Sequence, residues 1–235
     1  MQLRQVRDIE YRLLPGAERR TTDIVIERDG RVTVRPPKHL TPEQIDITVL
    51  RKRMWIYRNL AEWRDLNTTR VVREWVNGES FLYLGSTYRL QLVTKQDEPL
   101  KLKDGRFCLQ RPIVEQQGKE GAQQAFQDFY QRKGTERLAK RIPALAAKVG
   151  VRPGSVVVEE LGFRWASCFK DGSLHFHWKC LMAPAAIIDY IAVHELCHLR
   201  FRDHTDAFWN EVDKVMPDYL ERKEWLRPRG AALDL

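Results

Sequence analysis

The feature that most constrains this chain is an apolar, helix-forming stretch that carries charged and polar residues in its second half. Pro184 can open a helix, and three isoleucines follow it with helical spacing: Ile187, Ile188 and Ile191. The pattern H-E-x-x-H then occupies residues 194–198. Because histidine and glutamate are costly inside an apolar helix without partners, the sequence predicts a packed helix that carries one polar site.

The spacing within this pattern indicates a metal site. Residues four apart lie one turn above each other on a helix, so His194 and His198 can point two imidazoles at one ion. Glu195 stands beside this pair, where a carboxylate can take a proton from a metal-bound water. We therefore predict that one Zn²⁺ per chain is bound here and activates water for hydrolysis.

The third ligand is predicted from the residues that come after the helix. Five residues separate His198 from His204, which is enough chain to end a helix, turn and bring an imidazole back. Glu211 and Glu221 are the alternatives for this position. Three protein ligands with one open position are typical of a catalytic zinc, whereas a structural zinc is closed by four.

Composition limits the setting of this site. The chain has 235 residues with 43% hydrophobic, enough for one domain or two small ones with a substantial core. A formal net charge of +8 favours acidic partners such as DNA or DNA-bound proteins. The sequence shows no secretory signal and no apolar run long enough to cross a membrane, and its four cysteines form no C-x-x-C pair, so a cytoplasmic protein with free thiols is expected.

The order of the predicted elements indicates an α+β fold with two domains, at 1–118 and 119–235. The first is predicted to be an antiparallel β-rich domain with one long helix. Its opening hairpin pairs Ile24 with Val34 and Ile26 with Val32 across a loop ending in Gly30. The helix starts at the N-cap Thr41, runs to about residue 63, and has an apolar side, which comprises Ile45, Val49, Met54 and Trp55.

The second domain is predicted to be mainly helical, with a β-hairpin before the H-E-x-x-H helix. Gly134 should divide its first helical region in two and Gly150 should end it. A two-residue Asp171-Gly172 turn should pair Trp165 with Trp178 and Ser167 with Phe176, which puts Cys168 and Cys180 on opposite faces. A further helix is expected over residues 207–216.

The hairpin is a candidate edge of a substrate groove, because an extended peptide can add to a strand. Its candidate substrate-binding residues are Arg164, Trp165, Ser167 and His177. His177 and His175 are also explained as ordinary hydrogen-bonded histidines of a strand. Cys197 points away from the ligand side of the helix and is expected to be a small buried residue.

Longer runs resemble one known family. The blocks that carry the resemblance are Arg-Trp-Ala-Ser-Cys at 164–168, Asp-Tyr-Ile-Ala-Val-His-Glu-Leu-Cys-His at 189–198, then His204 and Phe208-Trp209. Together with Thr-Pro-Glu-Gln-Ile at 41–45 and Tyr-Leu-Gly at 83–85, they are similar to the YgjP-like zinc metallopeptidases, relatives of the SprT-like and Wss-type proteases.

The resemblance implies a zincin-like catalytic domain acting on protein or peptide substrates. It implies that His194, His198 and His204 are the zinc ligands and that Glu195 is the catalytic base. The related proteases act on DNA-linked proteins, which extends the expectation to DNA-associated substrates. This chain departs from the family at Ala166, where glycine is usual, and at His175 and His177, which replace residues that are often asparagine or another polar type.

Two other functions are compatible with the sequence. The first is a nucleic-acid-associated binding module whose metal site is structural or inactive; the presence of Glu195 speaks against it, since a structural site needs no base. The second is hydrolysis of a non-peptide amide.

Overall fold

In a computed structural model the chain forms two compact units, Met1–Arg70 and Val71–Leu235. The structure describes residues 2–18, 21–26, 30–67, 72–162 and 164–235. The α+β class is confirmed, since both units combine sheets with helices. No helix within these residues is long and apolar enough to cross a membrane.

The first unit is a four-stranded sheet followed by two helices. Its elements are β1 Gln2–Val6, β2 Ile9–Leu13, β3 Asp23–Ile26, β4 Val32–Arg35, α1 Pro42–Arg51 and α2 Arg53–Asn67. The predicted pairing of Ile24 with Val34 and of Ile26 with Val32 is confirmed. Residues 28 and 29 of the predicted loop lie outside the described residues. The sheet is mixed and not antiparallel throughout, because β2 and β4 run parallel in the order β1-β2-β4-β3.

The predicted long helix of this unit is two helices. It begins as predicted, with the Thr41 hydroxyl accepting from the Gln44 N–H and the Gln44 side chain accepting from the Thr41 N–H. This first helix ends at Arg51 with Lys52 as its C-cap, and α2 starts at Arg53. This break changes the buried face: Ile56 is buried, whereas Met54 and Trp55, predicted to pack, are 63% and 44% exposed.

The second unit contains a second four-stranded sheet, a three-stranded sheet and four helices. Its elements are β5 Ser80–Tyr83, β6 Ser86–Val93, β7 Leu100–Lys103, β8 Arg106–Gln110, α3 Arg111–Val149, β9 Val156–Glu159, β10 Ala166–Cys168, β11 Leu174–His177, α4 Ala185–Cys197, α5 Asp206–Val215 and α6 Tyr219–Arg229. The order β5-β6-β8-β7, with β6 parallel to β8, repeats the arrangement of the first sheet. Each sheet is two hairpins joined through their second strands.

One aromatic core joins the second sheet to the helices of this unit. The Phe126 ring of α3 lies 4.4 Å from Phe81 and 5.0 Å from Phe107 of the sheet, measured between centroids. Tyr130, one turn further along α3, stacks on Trp178 at 6.0 Å. Because the sheet β5–β8 and the α3 to α6 region share this core, the compact units divide after residue 70. The division differs from the predicted boundary at 118, which falls inside the second unit.

Helix α3 is divided at a different glycine from the predicted one. Its non-helical residue is Gly118 (φ 66°, ψ −152°), whereas Gly134 lies within the regular helix. At Gly134 the helix packs so closely that a Cβ would sit 2.7 Å from Leu181 Cδ2. The glycine therefore permits close packing and not a break. The helix ends at Gly150 as predicted.

The hairpin before the H-E-x-x-H helix has a register one residue away from the prediction. Ala166 pairs with Phe176 and Ser167 with His175, and Trp178 begins a 3-10 helix, Trp178–Met182. The cause is a three-residue loop closed by Phe169 and Ser173, in which Gly172 has φ +83°. A shift of one residue moves every side chain to the other face. Cys168 thus lies with Leu174 and Phe176, and all four cysteines are free.

Helix α4 is held by contacts at its first turns. The Arg141 guanidinium of α3 binds Asp189 through two nitrogens at 2.6–3.2 Å. Arg222 of α6 donates to the Ala186 carbonyl at 2.9 Å. Just before the helix, the Gly85 N–H at the tip of the β5–β6 hairpin donates to the Met182 carbonyl at 3.1 Å.

Substitution of Gly85 by alanine is expected to destabilise the second unit by about 2–4 kcal/mol. Gly85 has φ +80°, which costs an L residue roughly 1–2 kcal/mol, and its Cβ would lie 2.9 Å from Pro184 Cα. Gly105→Ala is a matched control, since that turn glycine also has positive φ but nothing within 4 Å of its Cβ position. Denaturant unfolding should show the larger loss for Gly85→Ala; equal losses would contradict the packing argument.

Candidate active site

Three imidazoles converge at the C-terminal end of α4. His194 lies in its last turn, His198 is its C-cap, and the chain turns so that His204 returns just before α5. The Nε2 atom of His194 lies 3.2 Å from Nε2 of His198 and 2.9 Å from Nε2 of His204. The ligand atoms of the three residues all lie within 4.8 Å of one another. The structure thus brings together the three predicted ligands.

The donor set fits a divalent metal ion. Tetrahedral zinc with nitrogens at ~2.0–2.1 Å holds them roughly 3.3 Å apart, close to the observed 2.9 and 3.2 Å separations. His194 Nε2 faces two other ring nitrogens but can share a proton with only one of them. A cation at the centre would satisfy all three lone pairs at once.

The electrostatics keep these imidazoles neutral, as metal binding requires. Burial, together with the charges of the neighbouring His198, His204 and Lys223, lowers the pKa of His194 to about 3. Burial also lowers the pKa of His198 and of His204. Three unprotonated rings are therefore available as ligands at neutral pH without displacement of protons.

Hydrogen bonding orients one of the rings. His198 Nδ1 lies 2.9 Å from the Phe201 carbonyl, so it donates its proton there and leaves Nε2 as the lone-pair donor. His194 Nδ1 is buried and makes no hydrogen bond within the part of the chain that the structure describes. That ring is instead held by packing, with Phe208 at 4.9 Å and Trp209 at 5.7 Å between centroids.

Glu195 is buried beside the three histidines. It is 7% exposed, and burial raises the pKa of its carboxyl to about 7, against the lowering effects of a Cys168 backbone hydrogen bond and the Arg164 charge. The carboxylate accepts that bond from the Cys168 N–H of β10. A carboxyl tuned toward neutral pH and fixed by one backbone donor is suited to accept and return a proton.

The alternatives for the third ligand lie elsewhere. Glu211 of α5 forms an ion pair with Arg200 at 2.9 Å. Glu221 is exposed in the first turn of α6. Among the described residues the group able to hold a metal consists of the three histidines, and it includes neither carboxylate.

The four predicted substrate-binding residues do not all lie near the three histidines. Arg164 lies close enough to Glu195 for its charge to lower the pKa of that carboxyl. The Trp165 ring packs against Gly230, and Ser167 lies opposite His175 in β10. His177 is not brought to the site: it is fully buried, with Nδ1 accepting from the Lys179 N–H at 3.1 Å and Nε2 lying 2.9 Å from Glu160.

His175 and Cys197 both have the ordinary structural environments that the sequence predicts. His175 shares a hydrogen bond with Glu159 through Nδ1, as expected for an ordinary hydrogen-bonded strand histidine. Cys197 is fully buried, and burial raises the pKa of its thiol to about 12, so it is an inert core residue as expected.

Strand β10 presents an open edge next to Glu195. The three-stranded sheet has the order β10-β11-β9, so β10 pairs on one side only. The Trp165 carbonyl accepts from His177 and the Phe169 N–H donates to Ser173, so alternate residues point their polar groups toward β11. Those of Ala166 and Cys168 point the other way, and the Cys168 N–H is the group that meets Glu195.

Several residues around the histidines were not found from the sequence. Trp209 of α5 stacks on His204 at 5.6 Å and on Tyr219 at 5.5 Å, and Lys223 Nζ lies 4.1 Å from its ring centroid. Tyr219 and Lys223 belong to α6, a helix that was not predicted. The available signal was the i, i+4 pair of Asp218 with Arg222, which forms an ion pair at the start of this helix.

Fold and site together define a protein of the H-E-x-x-H class, with a three-histidine metal group and a buried glutamate on one helix. The family model for the YgjP-like metallopeptidase domain matches residues 20–229. The chain belongs to this family, and the resemblance seen in the motifs is confirmed. No curated protein and no solved structure matches the chain significantly.

Truncation of Trp209 to alanine is expected to weaken metal binding by about 10–100-fold, the usual effect of losing a group that orients a ligand. His204 is the most exposed of the three histidines, and its ring is oriented by stacking on Trp209 together with an edge contact from Phe208. Trp209→Phe keeps an aromatic face and should retain most of the affinity. Zinc titration against a competing chelator measures this; Trp225→Ala is the control, and an unchanged affinity in Trp209→Ala would contradict the role.

Proposed function

We propose that the protein is a zinc-dependent metallopeptidase that hydrolyses peptide bonds. The observation that carries the proposal is the position of Glu195, a buried carboxyl held by a backbone donor beside three neutral imidazoles. A site that only stabilised the fold would be closed by a fourth ligand and would have no use for such a base. Membership of a metallopeptidase family supports the same reaction class.

His194, His198 and His204 would hold the metal through their Nε2 atoms. When bound there, zinc supplies Lewis acidity toward a carbonyl oxygen and lowers the pKa of a coordinated water. The Phe201 carbonyl fixes the tautomer of His198, and Phe208 and Trp209 confine the His194 ring. These contacts preorganise the ligand set before any ion arrives.

Glu195 moves the proton. In its ionised form the carboxylate accepts a proton from the attacking water and then gives it to the nitrogen of the leaving amine. A nearby cation favours the ionised form, so metal binding and the Arg164 charge both prepare Glu195 to act as a base. The Cys168 N–H is the backbone group that faces this carboxylate.

Strand β10 would hold the substrate. An extended peptide added to its open edge can bond to the outward groups of Ala166 and to the Cys168 carbonyl. This edge ends beside Glu195, so a peptide bound there brings one of its carbonyls near the histidines. Arg164, which lies just before this strand, and Ser167, which lies within it, are the proposed substrate contacts.

The proposal includes DNA-associated proteins as one substrate class and the cytoplasm as the location. The net charge of +8 supports an acidic partner. On α3 a groove of about 380 Å³ is lined by Lys133, Arg137, Lys140 and Arg141, with Tyr83 and Glu136. The four free cysteines support a reducing compartment.

A second candidate is a nucleic-acid-associated binding module in which the metal is structural or inactive. The basic groove on α3 is the observation that favours it. It predicts DNA affinity that falls steeply with salt and no proteolysis under any condition. Hydrolysis of a non-peptide amide is a third alternative, which would leave proteins intact and consume a small amide.

Cleavage of a denatured protein mixture, with new N-termini identified by mass spectrometry, tests these functions. The zinc-loaded protein should create new termini, the chelated protein should create none, and Glu195→Gln should create few. Added DNA should raise cleavage of DNA-bound proteins over the same proteins free in solution. Salt-sensitive DNA binding with no new termini would favour the binding module and overturn the peptidase.

A further inference from the structure

A lysine ammonium lies over an aromatic ring that contacts two of the three histidines. Lys223 Nζ lies 4.1 Å from the Trp209 ring centroid, a distance at which the ring face attracts a cation. That ring lies 5.6 Å from His204 and 5.7 Å from His194 between centroids. Tyr219, one turn before Lys223 on α6, stacks on the same ring at 5.5 Å. The lysine therefore approaches the site from a helix that is itself anchored there.

This ammonium has no carboxylate partner within the described residues. Neighbouring basic side chains do have one: Arg222 pairs with Asp218, and Arg200 pairs with Glu211. The charge of Lys223, held over Trp209, is thus left without a protein counter-charge among the described residues.

Lys223 is exposed, so in the free protein water and the Trp209 ring are the surroundings of its ammonium group. Three neutral imidazoles bring no negative charge, so a bound divalent ion would keep its full charge and repel an ammonium nearby. Contact with Trp209 nevertheless holds the lysine in this place. Lys223 contacts the Trp209 ring, and that ring contacts His194 and His204. A substrate group that binds the ammonium therefore lies next to the position of the metal.

We infer that Lys223 is a specificity-determining residue that binds a substrate carboxylate, so that peptides with Asp or Glu adjacent to the cleaved bond are preferred. The inference rests on the proposed peptidase function. A peptide lying along β10 past Glu195 carries side chains beyond the histidines, and an acidic side chain several ångströms long can reach an ammonium held over Trp209. An asparagine or glutamine of the same shape lacks the charge.

The test compares matched peptides that carry Asp, Glu, Asn, Gln or Lys next to the cleaved bond. Wild type should cleave acidic peptides about 5–30-fold faster in kcat/KM than their amide counterparts, the effect of one partly screened charge pair. Lys223→Met should lose this preference, measured as the ratio of kcat/KM on acidic peptides to kcat/KM on amide peptides, Lys223→Arg should keep it, and Lys223→Glu should favour the lysine peptide. Lys214→Met, at an exposed lysine of α5, is the control and should behave as wild type.

A second measurement does not depend on turnover. The same peptides, labelled with a fluorophore, are titrated against Glu195→Gln protein with and without Lys223→Met, and their affinities should show the same acidic preference, reduced by salt. Equal losses on acidic and amide peptides in Lys223→Met would assign the lysine to the reaction itself and overturn the inference. Absence of an acidic preference in wild type would also overturn it. If no variant cleaves any peptide, the proposed function fails, and the binding ratio still decides the role of Lys223.

Discussion

Replacement of Glu195 by glutamine is expected to lower kcat for peptide cleavage by about 10²–10⁴-fold, the usual contribution of a positioned acid–base group. Glutamine keeps the shape of the side chain and can still accept the Cys168 N–H hydrogen bond. It cannot take a proton from water at neutral pH. The three histidines are untouched, so metal stoichiometry and affinity should stay close to wild type.

The measurement is steady-state kinetics on one peptide together with metal analysis of the same protein sample. Glu211→Gln is the matched control, because Glu211 is a carboxylate on a neighbouring helix that pairs with Arg200 and lies outside the histidine group. It should keep kcat within a few-fold of wild type. A Glu195→Gln protein with normal turnover would remove the basis of the mechanism.

Replacement of His204 by alanine is expected to weaken metal binding by about 10²–10⁴-fold. An apparent zinc-binding free energy of ~10–16 kcal/mol, divided among three ligands, gives roughly 3–5 kcal/mol for each of them. The remaining His194 and His198 still form a pair 3.2 Å apart on one helix, which should leave weak residual binding. Activity at low zinc should be lost, with partial recovery at high zinc.

Competition with a chelator of known affinity measures this loss. His39→Ala, at an exposed histidine of the first unit, is the control and should bind zinc as wild type does. Glu211→Gln and Glu221→Gln test the alternative ligands predicted from the sequence. If either of them weakened binding as much as His204→Ala does, the proposed three-histidine ligand set would be wrong.

Much of the site could be predicted from local spacing. The H-E-x-x-H pattern fixes two imidazoles and a carboxylate within one helix, so their mutual placement needs no knowledge of the rest of the fold. The third ligand could not be chosen from spacing alone, because His204 and Glu211 both follow the helix closely enough to reach the metal. The ion pair with Arg200 shows that Glu211 is used elsewhere. Lys223 could not be found, because it reaches the site through α6 and a contact with Trp209 that is distant in sequence.

The predictions of the fold failed at positions where the surroundings of a single residue decide a helix break or a strand register. A glycine can break a helix or permit close packing, and the sequence does not distinguish the two at Gly134. The close approach of Leu181 shows that packing is the reason for this glycine. In the hairpin a three-residue loop replaced the predicted two-residue turn, and all pairings shifted by one. Lys52 carries no helix-breaking signal, so the division of the first unit's helix was missed.

The most direct test of the central claim is a zinc titration of metal-free protein in which bound zinc and peptide cleavage are measured in the same samples. Cleavage by wild type should rise in proportion to bound zinc and stop rising at one ion per chain, while Glu195→Gln binds the same one ion and stays inactive. Cleavage that is independent of bound zinc, or equal in the two proteins, would contradict the assignment of this site as a zinc peptidase centre.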